Sequence, residues 1–234
     1  MDRYFILIGG GEIRSKETLE IDRAVASLAR KQAGLVPEGE TDRRANALFV
    51  GTASHDLMPY YNSFHKTYTG ELGLKTDVAL TVYTEMDEEK LDAKFQKADL
   101  IYVGGGNTVF LLESWQKTGL GKRILEAYRR GVPVVGLSAG AICWFGQMYT
   151  DSGEQGDAYE VMPAMGLLPG GACPHYNRRR ADFAEAIPEG GEWLCIEDRA
   201  AVVCRNEAIE SVIRDGGDAF LVRKTPDGIE EKKL

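Results

Sequence analysis

The residues best placed to do covalent chemistry are Gly136-Leu137-Ser138-Ala139-Gly140. This G-x-S-x-G pentapeptide follows the apolar pair Val134-Val135, so it stands where a buried strand would pass into a helix. The two glycines let the backbone turn sharply enough to expose the hydroxyl and to bring N–H groups beside it. A serine hydroxyl is a weak nucleophile until a base takes its proton. The chain has three histidines, at positions 55, 65 and 175. His65 falls in a helical pattern with Phe64 and Tyr68 and reads as a partly buried face residue. His55 follows Gly51-Thr52-Ala53-Ser54 behind a strand and could rim a site. His175, in Cys173-Pro174-His175-Tyr176, reads as a strand end followed by a loop, which suits an exposed base, and it is the preferred partner for Ser138.

That base needs a carboxylate to orient it. In the order serine–acid–histidine the candidates are Asp151, Glu154, Asp157 and Glu160. In the order serine–histidine–acid they are Glu197 and Asp198, which follow the apolar residues 193–196. A hydrolase of the first order usually uses a longer chain than 234 residues, so the second order is favoured, with Asp198 ahead of Glu197. Two glycine runs complete the chemical inventory. Gly104-Gly105-Gly106-Asn107 could offer backbone N–H groups to an oxyanion, with Asn107 capping the helix beyond. Gly9-Gly10-Gly11-Glu12 invites a dinucleotide reading, but the third glycine of G-x-G-x-x-G is replaced by Arg14. No NAD, FAD, other cofactor or metal is therefore expected, and this run is read as a turn that lines a pocket.

These residues need a scaffold, and the pattern of short apolar runs supplies one. Runs at Tyr4–Ile8, residues 47–50, Leu100–Val103 and residues 132–135 each end in glycine, as strands buried on both faces of a parallel sheet would. Helical patterns lie between them. One runs over residues 15–31, capped by Ser15, with Ile21, Val25 and Leu28 on one face. Others cover residues 59–71, a stretch after Asn107, residues 121–130 and residues 181–187. After Gly191, apolar runs at residues 193–196, 200–204, 208–213 and 219–222 read as antiparallel hairpins at one edge of the same sheet. Residues 37–42 read as a solvated loop and residues 230–233 as a frayed tail. The expectation is one α/β domain over residues 1–234, doubly wound and mostly parallel.

Composition agrees with that scaffold. Apolar residues make up 44% and charged residues 27%, which excludes disorder and fibrous classes. The 27 glycines exceed the about 7% usual in proteins, and much of the surplus is concentrated at Gly9–Gly11, Gly104–Gly106 and Gly136/Gly140. A net charge of −8 disfavours nucleic acid as a partner. Four cysteines without a Cys-x-x-Cys pair, and an N-terminal apolar run too short for a leader or a membrane span, point to buried thiols in a cytoplasmic protein.

Taken together, Gly104-Gly105-Gly106-Asn107, Gly136 to Ala141, Cys173-Pro174-His175-Tyr176 and Ile196-Glu197-Asp198 resemble peptidase family S51, the aspartyl dipeptidases (dipeptidase E) and cyanophycinases. The resemblance implies a fold like that of class I glutamine amidotransferases (flavodoxin-like), with serine where those enzymes use cysteine. It implies Ser138 as nucleophile, His175 as base and Asp198 or Glu197 as acid. Gly105, Gly106 and Ala139 would donate N–H groups to the oxyanion, and Asn107 and Asp151 would line the substrate site. It further implies a serine exopeptidase for short peptides, with an arginine after the histidine reading an N-terminal aspartate. Arg179 and Arg180 fit that position best, and a solvated, positive helix start is the competing account of the same arginines. A cyanophycin-like or isoaspartyl peptidase, or a binding relative without turnover, are the alternative functions. A small peptide is the expected partner of a monomer or homodimer, without a membrane or nucleic acid.

Overall fold

The computed structural model describes residues 1–35, 43–83, 87–153 and 158–234. The loop expected at residues 37–42 and the acid candidates Glu154 and Asp157 lie outside the described residues. In chain order the elements are β1 (Tyr4–Ile8), α1 (Leu19–Gln32), β2 (Asn46–Val50), α2 (Met58–His65), β3 (Lys75–Ala79), α3 (Glu88–Lys97), β4 (Leu100–Val103) and α4 (Thr108–Thr118). They continue with α5 (Leu120–Arg129), β5 (Val134–Leu137), α6 (Ala139–Ile142), β6 (Phe145–Thr150), β7 (Glu160–Pro163), β8 (Leu168–Pro174) and α7 (Tyr176–Ala186). Last come β9 (Glu192–Ile196), β10 (Ala200–Arg205), β11 (Ala208–Arg214), β12 (Ala219–Thr225) and β13 (Gly228–Lys233).

The strands form two sheets where the sequence reading expected one. The first has the order β11-β10-β1-β5-β4-β2-β3, the second β13-β12-β9-β8-β6-β7. In the first, β1, β5, β4, β2 and β3 are mutually parallel, and the β10–β11 hairpin is added antiparallel to β1. In the second, β6, β8 and β9 are parallel, flanked by β7 on one side and the β12–β13 hairpin on the other. The run at residues 193–196 thus lies inside the second sheet, parallel to β8 on one side and antiparallel to β12 on the other. The tail expected to fray is β13, paired with β12 along its length although every residue in it is exposed.

Alternation explains the layering. Along β1, Phe5 and Leu7 face a core shared with α3, α4, α5 and the inner face of the second sheet, while Ile6 and Ile8 face α1 and α2. The outer face of the second sheet packs Tyr149, Trp193 and Phe220 against Tyr176 and Phe183 of α7. Helix α1 starts at Leu19 rather than near Ser15, because Ser15 donates its hydroxyl to the Glu12 carbonyl within a preceding turn. Asn107 does cap α4, its side chain accepting from the Phe110 N–H at 2.8 Å.

One buried acid gives this layering a pH signature. Asp22 on α1 is fully buried and accepts hydrogen bonds from Tyr68 at 2.8 Å and Thr18 at 2.9 Å. Burial pushes its carboxyl up to about 6, against the pull of those two bonds. Between the unfolded value near 3.9 and about 6, the folded chain holds a proton that the unfolded chain releases. Stability from this group is therefore full below about 4 and falls as the pH rises through 6. Asn at this position keeps an acceptor for Tyr68 and can donate to Thr18. We expect Asp22→Asn to raise stability near pH 8, by an amount on the order of 3 kcal/mol, and to flatten the pH dependence between about 4 and 6. Denaturant unfolding of both proteins across that range measures it, and parallel pH profiles would refute it.

Candidate active site

Ser138 follows β5 of the first sheet, at the N-cap of α6, with φ 51° and ψ −109°. A non-glycine residue in that region carries strain of about 1–3 kcal/mol, which the surroundings must over-determine. They do so through two glycines. A Cβ at Gly136 would lie 1.9 Å from the Gly140 carbonyl oxygen, and one at Gly140 would lie 2.3 Å from that of Val103. The turn is thus pressed against its own helix and against β4, and Ser138 N–H is pinned to the Ile8 carbonyl at 2.9 Å.

His175 follows β8 of the second sheet and also has a positive φ, 147°. Its Nε2 lies 2.5 Å from Ser138 Oγ, and its Nδ1 lies 2.8 Å from Asp198 Oδ1. Asp198 sits in the short connection by which β9 of the second sheet hands over to β10 of the first. The three side chains therefore come from both sheets and the crossing between them. Burial opposes ionisation of Asp198, but hydrogen bonds from His175 and Asn177, with the nearby charge of Arg178, outweigh it and hold the carboxyl at about 2. An ionised Asp198 accepts from Nδ1–H, which leaves Nε2 free to accept the serine proton. Asn177 clips the acid from both sides, its Nδ2 donating to Oδ2 and its Oδ1 accepting from the Asp198 N–H, each at 3.1 Å. Arg178 lies 2.7 Å from Oδ2 but is 71% exposed, so its contribution is that of a surface pair.

The Ser–His pair opens onto a cleft of about 690 Å³. Its walls include Glu12 and Arg14 from the turn after β1, Tyr60 and Asn62 from α2, and Gly105 and Gly106. Gly106 and Ala139 present backbone N–H groups that no other described residue accepts, whereas Gly105 N–H donates to the Tyr60 hydroxyl at 3.2 Å. Among the described residues, no group of three or more His, Cys, Asp or Glu side chains could hold a metal ion.

Comparison with known proteins bears on what such a site belongs to. The model of peptidase family S51 matches residues 5–212. The chain belongs to peptidase family S51. It is a hydrolase of the serine-peptidase type. An uncharacterized peptidase of Bacillus subtilis strain 168, YgaJ, is 29% identical over 243 residues, covering 100% of this chain and 97% of the relative. A peptidase E of Streptomyces coelicolor is 31% identical, covering 63% of this chain and 69% of its own. The crystal structure of a peptidase from an acI-B1 actinobacterium shares the fold, with a TM-score of 0.72 and 19% identity, over 100% of this chain and 94% of that one.

In this S51 chain the other expected site residues are dispersed. Glu197 points away from His175, with Oε1 on Arg180 at 3.3 Å and Oε2 accepting from Asp218 N–H at 3.0 Å. Arg179 is buried, donates to the Tyr149 carbonyl at 3.2 Å, lies over the Tyr159 ring and sits 3.8 Å from Asp151. Arg180 spans Glu197 and Glu231 and lies over Tyr176. Neither Arg179, Arg180, Asp151 nor Asn107 is on the wall of the cleft at Ser138. His55 packs at a tilt against Phe110, and His65 is exposed beside Thr76. The sequence reading missed Tyr60, Asn177 and Arg14 as site residues. Arg14 was visible only as the residue that breaks a dinucleotide motif, and nothing local marks Tyr60 among the aromatics of its helix.

Proposed function

We propose that this S51 peptidase is an exopeptidase that hydrolyses short, acidic peptides through an acyl-enzyme. The observation that carries the reading is the continuous relay from Ser138 through His175 to Asp198, at 2.5 and 2.8 Å, at the edge of an open cleft. Ser138 attacks the scissile carbonyl while His175 takes its proton, and Asp198 holds the imidazole and stabilises the cation that forms. The departing amine takes that proton from His175, and water then enters by the same route to release the acid.

A short peptide fits the cleft's charges. Glu12 and Arg14 lie exposed on its wall and, among the described residues, form no ion pair with each other or with a third side chain, although Glu12 Oε1 accepts from the Arg14 N–H at 3.2 Å. An unpaired carboxylate and guanidinium suit the free ammonium and a carboxylate of a small substrate. Peptides with N-terminal aspartate supply both groups. Buried, unpaired thiols at Cys143, Cys173, Cys195 and Cys204 favour a reducing, cytoplasmic setting.

A fluorophosphonate probe with intact-mass and peptide mapping tests the chemistry. We expect one covalent adduct, on Ser138, and hydrolysis of Asp-X dipeptides ahead of neutral ones. No adduct and no hydrolysis, or hydrolysis that survives in Ser138→Ala, would refute the reading.

A further inference from the structure

The oxyanion donors implied by the fold are all backbone N–H groups, yet one of them already has a partner. Gly105 N–H donates to Tyr60 Oη at 3.2 Å. Gly105 also abuts the nucleophile, since a Cβ there would lie 3.4 Å from Ser138 Cβ. The phenol oxygen is therefore held where a carbonyl on Ser138 would look for donors, and Tyr60 lines the same cleft as Ser138, Gly105 and Gly106.

The protein fixes both the backbone and the ring of Tyr60. Tyr60 lies in the first turn of α2, its backbone N–H bonded to the Leu57 carbonyl at 3.0 Å. Its ring meets Phe49 edge-on at 5.0 Å between centroids. Gly104 makes room for it, because a Cβ at that position would fall 2.9 Å from the Tyr60 ring. The absence of a side chain at Gly104 thus has a specific use: it lets the ring lie along the glycine loop. The hydroxyl oxygen is occupied as an acceptor, and its own proton has no acceptor among the described residues. Burial raises the phenol above its ordinary value, so at neutral pH it is a donor and not a phenolate.

We propose that the Tyr60 hydroxyl is a catalytic oxyanion donor, standing between the Gly105 N–H and the substrate oxygen and acting beside the N–H groups of Gly106 and Ala139. The assignment rests on the serine-peptidase mechanism above and adds a side chain to it. As Ser138 Oγ bonds to the carbonyl carbon, its proton moves to His175 Nε2 and the π pair moves onto the carbonyl oxygen. Tyr60 O–H donates to that oxygen and keeps its proton. When the pair returns to re-form the carbonyl, the C–N bond breaks and the amine leaves with the proton from His175. A chain of N–H to O–H to oxyanion is polarised at each link, so Gly105 strengthens the donor it holds. A hydroxyl can also rotate toward an oxygen that moves outward as the carbon becomes tetrahedral.

The test uses Tyr60→Phe, with Ser138→Ala setting the background. Removing one oxyanion donor lowers kcat by about 10²–10³-fold. We expect kcat of Tyr60→Phe to fall by about 100-fold with KM within about twofold, and affinity for a peptide aldehyde, whose adduct carries the tetrahedral oxygen, to fall in parallel. A purely structural role would not weaken the aldehyde selectively over a substrate-like amide. Should the phenylalanine variant fold poorly, 3,5-difluorotyrosine at position 60 keeps the ring's shape with a more acidic hydroxyl. Its kcat must then decline at a lower pH than the wild type's as the donor is lost. An unchanged or increased kcat in Tyr60→Phe would overturn the proposal, an increase marking the hydroxyl as a plug on Gly105. If wild-type activity does not depend on Ser138, the peptidase mechanism falls instead, so the two failures are distinct.

Discussion

We expect Gly10→Ala to abolish peptide hydrolysis without unfolding the chain. The backbone at Gly10 does not have the positive φ that would itself exclude alanine. The obstacle is what the new methyl would meet: a Cβ there would lie 2.0 Å from Asp198 Oδ1 and 2.2 Å from His175 Nδ1. Those two atoms are 2.8 Å apart, so the methyl lands on the hydrogen bond that orients the base. Side chains can move aside where backbone cannot, so His175 or Asp198 swings out and the fold survives. The neighbouring Gly9 makes the contrast, since its Cβ would strike the carbonyl oxygens of Glu197 and Ile196 at 2.3 and 2.4 Å. Loss of one member of such a relay removes nearly as much activity as loss of all of it. We expect kcat of Gly10→Ala to fall by about 10⁴-fold or more, toward the Ser138→Ala background, with its melting temperature within a few degrees of the wild type. Steady-state hydrolysis and thermal unfolding of the two proteins decide it. Activity within tenfold of the wild type would mean that the crossing between β9 and β10 yields freely to the methyl, and that the first glycine run has no hold on the acid.

That role for Gly10 shows where sequence reading stops. The elbow at Ser138, the helix cap at Asn107 and the histidine at a strand end are local patterns, and each was legible because the residues that cause it are neighbours in the chain. Asp198 was legible too, as the end of an apolar run, and the structure sets it on His175 with Glu197 turned toward Arg180. Sheet membership was not. The run at residues 193–196 has the same apolar character whether its neighbours lie in the first sheet or are β8 and β12 of the second, and pairing is decided by partners far along the chain. Strand β13, with its Gly-Ile-Glu-Glu-Lys-Lys sequence, has no apolar alternation. It is a strand because the short turn between Thr225 and Gly228 brings it alongside β12. Arg179 and Arg180 illustrate the same limit. Their side chains read as free cations in the sequence, but Arg179 is buried under Tyr159, and Arg180 is held between two carboxylates.

Asp198→Asn carries the second large effect, because it changes which nitrogen of His175 holds the proton. In the native site both remaining donors, Asn177 Nδ2 and Arg178 Nε, converge on Oδ2 of Asp198, at 3.1 and 2.7 Å. An asparagine at 198 keeps its single oxygen on that side, where the two donors are, and so turns its amide nitrogen toward His175. Nδ1 must then accept instead of donate, which moves the ring proton to Nε2. There it faces Ser138 Oγ and cannot remove the serine proton. Geometry is preserved and the chemistry is stopped, a loss of about 10⁴-fold in kcat. Glu197→Gln makes the comparison, since its partners are Arg180 and the Asp218 N–H and none belongs to the relay. We expect kcat of Glu197→Gln to stay within a few-fold of the wild type. Acidity separates the two carboxylates further. With Asp198 held at about 2, its contribution to stability is complete above the unfolded value near 3.9 and is lost only as the pH falls through about 2. Any loss of wild-type activity between about pH 5 and 7 therefore cannot come from protonating Asp198. A kcat of Glu197→Gln reduced about 10⁴-fold beside an active Asp198→Asn would reverse the assignment and place the triad acid one residue earlier.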